Sequence, residues 1–224
     1  MKVKHKIVII SDTHNMHRGV QNKFELPAAD FIIHCGDISG RGDEYHVKQF
    51  LDWFSSLYQY NHKIFIAGNH DWLFENTPGL AKKLVEEYKD KNVHYLEDSG
   101  IKLWGVNFWG SPVTKPFNNW AFNRPEEKMK LHWEAIPKDT DILITHGPSY
   151  MLMDYSESGS AEHTGSESLY WTVFDRVRPQ VHCFGHVHEQ YGVKEIDGIK
   201  IVNASVLDGA YKLINPPIII EVEI

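Results

Sequence analysis

The sequence predicts one α/β domain over residues 1–224, a four-layer αββα sandwich of two mixed sheets, each flanked by helices on its outer side. Three observations predict it. Residues 3–88 alternate short β-branched apolar runs with amphipathic helical periods, the pattern of parallel strands joined by right-handed crossovers. From about residue 93 the strands become short, aromatic and closely spaced, which calls for antiparallel pairing in a second sheet. Five apolar runs stop at residues bearing oxygen or nitrogen donors, and a parallel-type sheet gathers such groups beyond the carboxyl ends of its strands.

In chain order, residues 3–10 form a strand closed by Asp12-Thr13-His14, and residues 31–35 a second closed by Gly36-Asp37. Asp43 N-caps a helix whose inward stripe is Val47, Phe50, Leu51, Phe54 and Leu57. Residues 63–67 are a third strand, ending in Gly68-Asn69-His70-Asp71, where Asp71 reads as a local turn or cap residue rather than a ligand. Thr77-Pro78 opens a helix with Leu80, Leu84, Val85 and Tyr88 facing inward. Residues 93–96, 101–105 and 106–110 are the short strands assigned to the second sheet. A loop carrying Phe117, Trp120 and Phe122 leads to a helix from Pro125 to about Ile136, then to a buried strand, 141–145, ending at His146. Residues 149–166 show no period and read as an irregular surface loop, and 168–177 read as helical. The run VHCF ends in Gly185, which permits a tight turn and lets His186 and His188 reach one point beyond the sheet. Three strands finish the chain, 191–196, 200–203 and 218–224, with turns at Asp197-Gly198 and Asn215-Pro216-Pro217. No repeat, linker or low-complexity segment marks a domain boundary.

At 224 residues the chain can bury a substantial core. A formal charge of -7 without a basic block argues against a nucleic-acid polymer as partner. The first strand is too short, and too quickly followed by Ser11-Asp12, to be a signal or membrane segment, so the expectation is a cytoplasmic protein with no membrane partner. The two cysteines, Cys35 and Cys183, lie inside apolar runs with no CxxC pairing and are expected as free buried thiols. Oligomeric state is left open.

The strand-end donors are Asp12, His14, Asp37, Asn69, His146, His186 and His188, with His70 beside them. Three oxygen donors and four imidazoles exceed what one tetrahedral ion needs and suit two ions sharing a carboxylate. Such pairs sit about 3.5–4 Å apart and clamp the attacking and leaving oxygens of a displacement at phosphorus. Mixed N/O donors without thiolate favour two divalent ions drawn from Mn, Fe, Zn or Co. Asn15 and Arg41 follow the first two motifs and are either substrate-phosphate contacts or solvated loop residues. His182 is either an ordinary strand residue or an outer support of the ligands. The ring-rich loop is either packing or a wall suited to a nucleotide or aryl ester.

The ordered set DTH, GD, GNHD, THGP and GHVH, spanning residues 12–188, resembles the calcineurin-like metallophosphoesterase superfamily. HGP after the fourth motif-bearing strand, RPQVHCFGHVHEQYG and the later VNAS are similar more narrowly to the small MPPED-like phosphodiesterase subgroup. The resemblance implies the αββα fold of that superfamily and phosphodiesterase activity on a small-molecule phosphoester, in some members a cyclic nucleotide. It also implies one ion on Asp12, His14 and His188, a second on Asn69, His146 and His186, and Asp37 bridging. A metal-bound hydroxide would be the nucleophile, and His70, in the catalytic-histidine position, would protonate the leaving oxygen or stabilise phosphoryl charge. A phosphomonoesterase and a non-catalytic metal-binding interaction scaffold are the competing readings.

Overall fold

β-Branched runs free of proline give the first sheet its centre. A computed structural model describes residues 3–157 and 162–224. In it β1 (Lys4–Ile10), β2 (Ala29–His34), β3 (Tyr60–Phe65) and β4 (Val93–Tyr95) run parallel, and β13 (Ile218–Glu223) pairs antiparallel with β1, giving the order β13-β1-β2-β3-β4. The second sheet contains β5 (Ser99–Leu103), β6 (Val106–Ser111), β7 (Ile142–Thr145), β10 (Val181–Phe184), β11 (Gly192–Ile196) and β12 (Ile199–Asn203) in the order β11-β12-β10-β7-β6-β5. Its inner strands β12, β10, β7 and β6 are parallel, and both edge strands are antiparallel. Both sheets are therefore mixed, as expected.

Side-chain alternation assigns the layers. Ile7 and Ile9 of β1, Phe31 and Ile33 of β2 and Ile64 of β3 point inward, against Phe108, Ile142, Ile144, Val181 and Val202 of the second sheet. Cys35 and Cys183 meet in this inter-sheet core as free thiols, and burial, with each thiol beside the other, pushes Cys35 up. The opposite face, with Val8, Ile10 and Ile32, is covered by α2 (Glu44–Ser55) and α4 (Pro78–Glu86), with α1 (His17–Lys23) and α3 (Trp72–Asn76) beside them. On the second sheet's outer face, α5 (Glu126–Glu134) and α6 (Glu167–Trp171), which continues as a π-helical turn through Val177, bury Trp133, Leu169 and Val173 against Leu143, Phe184 and Ile201. The four layers are present. Asp43 caps α2 by accepting the His46 N–H at 2.9 Å, and all five residues of its expected stripe are buried.

Four details depart from the sequence reading. β4 joins the first sheet, parallel to β3, because the right-handed crossover through α4 returns the chain beside β3. Leu80 is exposed, with Ala81 and Leu84 making the buried contacts of α4 and Tyr88 buried just past its end. α1 and α3 are short helices that the sequence reading passed over as loop. The segment 149–166 contains two short strands, β8 (Tyr155–Ser156) and β9 (Glu162–His163), paired antiparallel beside Asp154, whose carboxylate accepts from Met151 N, Gly165 N and His163 Nδ1. Residues 158–161 of that segment lie outside the described residues. No helix among the described residues is long and apolar enough to cross a membrane.

Candidate metal centre and active site

The carboxyl ends of β1, β2 and β3 deliver Asp12, His14, Asp37, Asn69 and His70, and those of β7 and β10 deliver His146, His186 and His188. The two sheets thus bring their donors to one end of the sandwich. Asp12, His14 and His188 place one ligand atom each within 4.8 Å of one another, as do Asp12, Asp37 and His146, and also His14, Asp37 and His70. Asp37 Oδ2 lies 3.5 Å from His14 Nε2 and 3.4 Å from His146 Nε2, between the two donor groups as a shared carboxylate would be. His188 Nε2 is 3.3 Å from Asp12 Oδ1. Asn69 Oδ1 lies 2.9 Å from His146 Nε2, and the rings of His146 and His186 are 5.1 Å apart. All seven predicted ligands meet here, with Asn69 and His186 reaching the cluster through His146 rather than as members of the three groups.

Backbone carbonyls orient these rings. Cys35 O is 2.9 Å from His146 Nδ1, and Asp208 O is 3.2 Å from His188 Nδ1. A carbonyl only accepts, so Nδ1 carries the proton and Nε2 is left for the ligand role. His14 Nε2 is buried without a hydrogen-bond partner, an unmet donor position of the kind an ion would satisfy. The donor set of carboxylates, one amide and imidazoles therefore fits divalent ions.

The same loops are strained. Asp12, His14, Asp37 and His186 have φ of 55°, 40°, 52° and 66°, which costs of order 1 kcal/mol or more each and persists only where packing holds it. Gly185 permits the closest approach. A Cβ there would stand 2.0 Å from Asp12 Oδ2, so only glycine lets the chain turn past that carboxylate. The Asp12 carboxylate in turn accepts from His186 N at 3.1 Å and from Ser205 Oγ at 2.7 Å.

Electrostatics follow from burial and pairing. Burial lowers His14 to about 4 and His186 to about 3, leaving both rings neutral at physiological pH. Burial also opposes charge on His146, but the Asp37 and Asp12 carboxylates outweigh it and raise that ring to about 9. Asp37 stays well below the usual carboxylate range, its burial overcome by His146, His70 and His14.

Around the ligands stand their supports, of which the sequence reading offered His182, singled out Asp71 and Trp120 without their roles, and missed His34 and Tyr211. Asp71 caps nothing in α3; its fully buried carboxylate ties the second and third motif loops together. Oδ2 accepts from Ile38 N at 3.1 Å and Gly68 N at 2.8 Å, and Oδ1 accepts from Ser39 N at 3.0 Å and Ser39 Oγ at 2.6 Å. Each sheet also carries a buried Thr–His pair beside its ligands. Thr13 Oγ1 is 3.0 Å from His34 Nε2, and Thr145 Oγ1 is 2.8 Å from His182 Nε2, so His182 supports His146 through its chain neighbour. His70 is held by Gly40 O, 2.9 Å from its Nδ1, and by Trp120, whose ring stacks on it at 3.9 Å and 23°. Ala121 N donates to Asn69 O, anchoring the ring-rich loop to the same motif. Within that loop Phe122 is buried packing and Phe117 faces the cavity. A tight turn at Asp208 sets Tyr211 at φ 58° with its ring 5.0 Å from those of both His14 and His188.

A cavity of about 240 Å³ opens over this cluster, walled by Asp37, Asn69, His70, His186 and His188 and, further out, by Phe117, Ser156, Glu189, Gly209 and Tyr211. Asn15 and Arg41 lie in the adjoining loops, and neither lines it. Of the outer wall, only Phe117 is among the residues singled out in the sequence, because the rest come from segments without a motif.

Comparison with known proteins agrees with this geometry. A family model described as calcineurin-like phosphoesterase matches residues 5–190. The human protein Metallophosphoesterase domain-containing protein 1 is 37% identical over 235 residues, covering 96% of this chain and 70% of its own length, and the mouse protein of that name matches equally. Among solved structures, phosphopantetheinyl hydrolase from Mycobacterium tuberculosis superposes with a TM-score of 0.61 at 15% identity, over 92% of this chain and 90% of its own. TT1561 of Thermus thermophilus gives 0.61 at 14%, over 90% and 89%. These two likenesses concern the fold.

Proposed function

The chain belongs to the calcineurin-like phosphoesterase family, and from that premise we propose that it is a dinuclear metal-dependent phosphodiesterase acting on small diesters. The observation that favours a diester is the cavity wall, which among the described residues contains no Lys or Arg but includes, besides the ligand Asp37, the carboxylate of Glu189. A phosphomonoester brings up to two negative charges to such a wall, whereas a diester brings one. Repulsion by an unpaired carboxylate is stronger in a partly desolvated site than in water, so the singly charged ester is the better guest.

In this reading Asp12, His14 and His188 would hold one ion and Asn69, His146 and His186 the other, with Asp37 shared between them. The ions, when bound, supply Lewis-acid stabilisation of phosphoryl charge and a nucleophile at neutral pH. The chain's own contribution is positional. Gly40 O fixes the proton on His70 Nδ1 and Trp120 fixes the ring plane, so His70 Nε2 is the atom that exchanges a proton with the leaving oxygen.

The test compares an aryl phosphodiester with the matching monoester, using Mn-loaded protein and His70→Ala as control. Diester turnover that disappears in the variant supports the reading. Preference for the monoester makes the protein a phosphomonoesterase, and tight metal binding without turnover of either ester makes it a scaffold.

A further inference from the structure

We infer that the outer half of the cavity is a subsite for an organic cation, so that the diesters hydrolysed carry an ammonium-bearing alcohol on one ester arm. This inference rests on the phosphodiesterase reading above.

Glu189 follows the ligand His188 directly, is exposed, and lines the cavity. Among the described residues it has no cationic partner. Its side chain is nonetheless placed, because it lies against Gly209: a Cβ on Gly209 would stand 3.0 Å from Glu189 Oε1 and 3.2 Å from Cγ. A carboxylate that close to an anion-binding centre works against binding unless the ligand carries a positive charge for it.

Two aromatic rings share the wall. Phe117 is 41% exposed and Tyr211 is 51% exposed, so both leave large apolar faces open at the mouth. Tyr211 is held in the left-handed region at φ 58° by the turn in which Asp208 Oδ1 accepts from Ala210 N and Lys212 N. A strained, exposed tyrosine over two candidate ligands points to a role in holding substrate. Ring faces attract ammonium groups, most of all quaternary ones, and a neighbouring carboxylate adds to that attraction.

Rings alone would suit a nucleobase as well. Size favours the cation: the cavity measures about 240 Å³, below the roughly 300–1,000 Å³ of sites for larger ligands. A phosphate on the ions with a choline- or ethanolamine-sized arm against Glu189 uses both ends of that space.

The experiment uses two diesters with the same p-nitrophenyl leaving group, p-nitrophenyl phosphorylcholine and its uncharged isostere p-nitrophenyl 3,3-dimethylbutyl phosphate. The metal-loaded protein should favour the choline ester in kcat/KM by about tenfold. Glu189→Gln should bring that ratio close to one, and Tyr211→Leu should lower it in part. Isothermal titration of His70→Ala protein with the same pair should show the same preference in Kd. Equal kcat/KM for the two esters, or an unchanged ratio in Glu189→Gln, overturns the cation subsite and leaves the phosphodiesterase reading standing. Turnover of neither ester overturns that reading, and the subsite with it.

Discussion

Replacing Asp71 by Asn changes almost no volume yet should be among the most damaging single substitutions in the protein. The carboxylate accepts four hydrogen bonds, two on each oxygen, from Ile38, Ser39 and Gly68. An amide keeps one oxygen for Ile38 N and Gly68 N and turns its NH₂ toward Ser39, whose Oγ can accept but whose N–H cannot. Burial and the nearby Asp37 charge raise Asp71 to about 7, so the comparison belongs above that pH, where the carboxylate is ionised. One charge-assisted bond is then lost and the Ser39 N–H is left unsatisfied, a cost of about 2–4 kcal/mol. That is a large fraction of a typical 5–15 kcal/mol stability. At about 2–4 °C per kcal/mol for a chain of this size, thermal unfolding above pH 7 should shift down by roughly 5–15 °C. The assay is calorimetry on ion-free protein, with metal stoichiometry measured in parallel. Because Asp71 joins the loop of Asp37 to the loop of Asn69, both stability and loading should fall. A shift under about 3 °C with two ions retained would refute the claim that this carboxylate holds the loops in register.

Three further outcomes are expected. Gly185→Ala places a methyl 2.0 Å from Asp12 Oδ2 and 2.1 Å from Ser11 Oγ, so elemental analysis should show fewer than two ions per chain; full occupancy would mean the turn relaxes freely. Trp120→Ala should lower kcat by up to about tenfold with ion content unchanged, from the roughly 0.5–1.5 kcal/mol that an aromatic pair contributes, and an unaltered kcat would remove its positioning role. In ion-free protein His146 is raised to about 9 from an ordinary 6.5, so its stabilising contribution is complete below about pH 6.5 and lost as pH rises through 9. Ion affinity should climb over that same window, because the ring must shed its proton to bind. A pH-independent melting temperature between 6.5 and 9, together with no proton release on loading, would contradict this.

What the sequence made legible was local. Runs such as KIVII and DILIT announce buried strands by themselves, and donors placed just after them are found by reading forward a few residues. Asp43 and the stripe of α2 are equally plain, because cap and period lie within one helix. The rest depended on partners far along the chain. Val93–Tyr95 could be recognised as a strand, but its neighbour was decided by the crossover that precedes it. α1 spans seven residues without a side-chain cap, too short for periodicity to register. Asp154 organises its loop through residues that share no pattern with it. At the site, Asp71 stood inside a visible motif, and while Gly68 is a near neighbour, Ser39 and Ile38 are 32 and 33 residues away. His34, Ser205, Glu189 and Tyr211 became functional candidates only once the fold placed them against the ligands.

The division of the donors between two sheets bears on how the protein is made. Asp12 and His186 touch across 174 residues of chain. On a ribosome the amino-terminal donors emerge early and must wait until most of the polypeptide has left the exit tunnel before their counterparts appear. β1, whose partner β13 follows about 200 residues later in the chain, waits with an unpaired edge over a similar interval. Metal capture is thereby placed after both sheets have emerged. A truncated or stalled product would have half a centre and an open sheet, a species for quality control to remove rather than a weak hydrolase released into the cell.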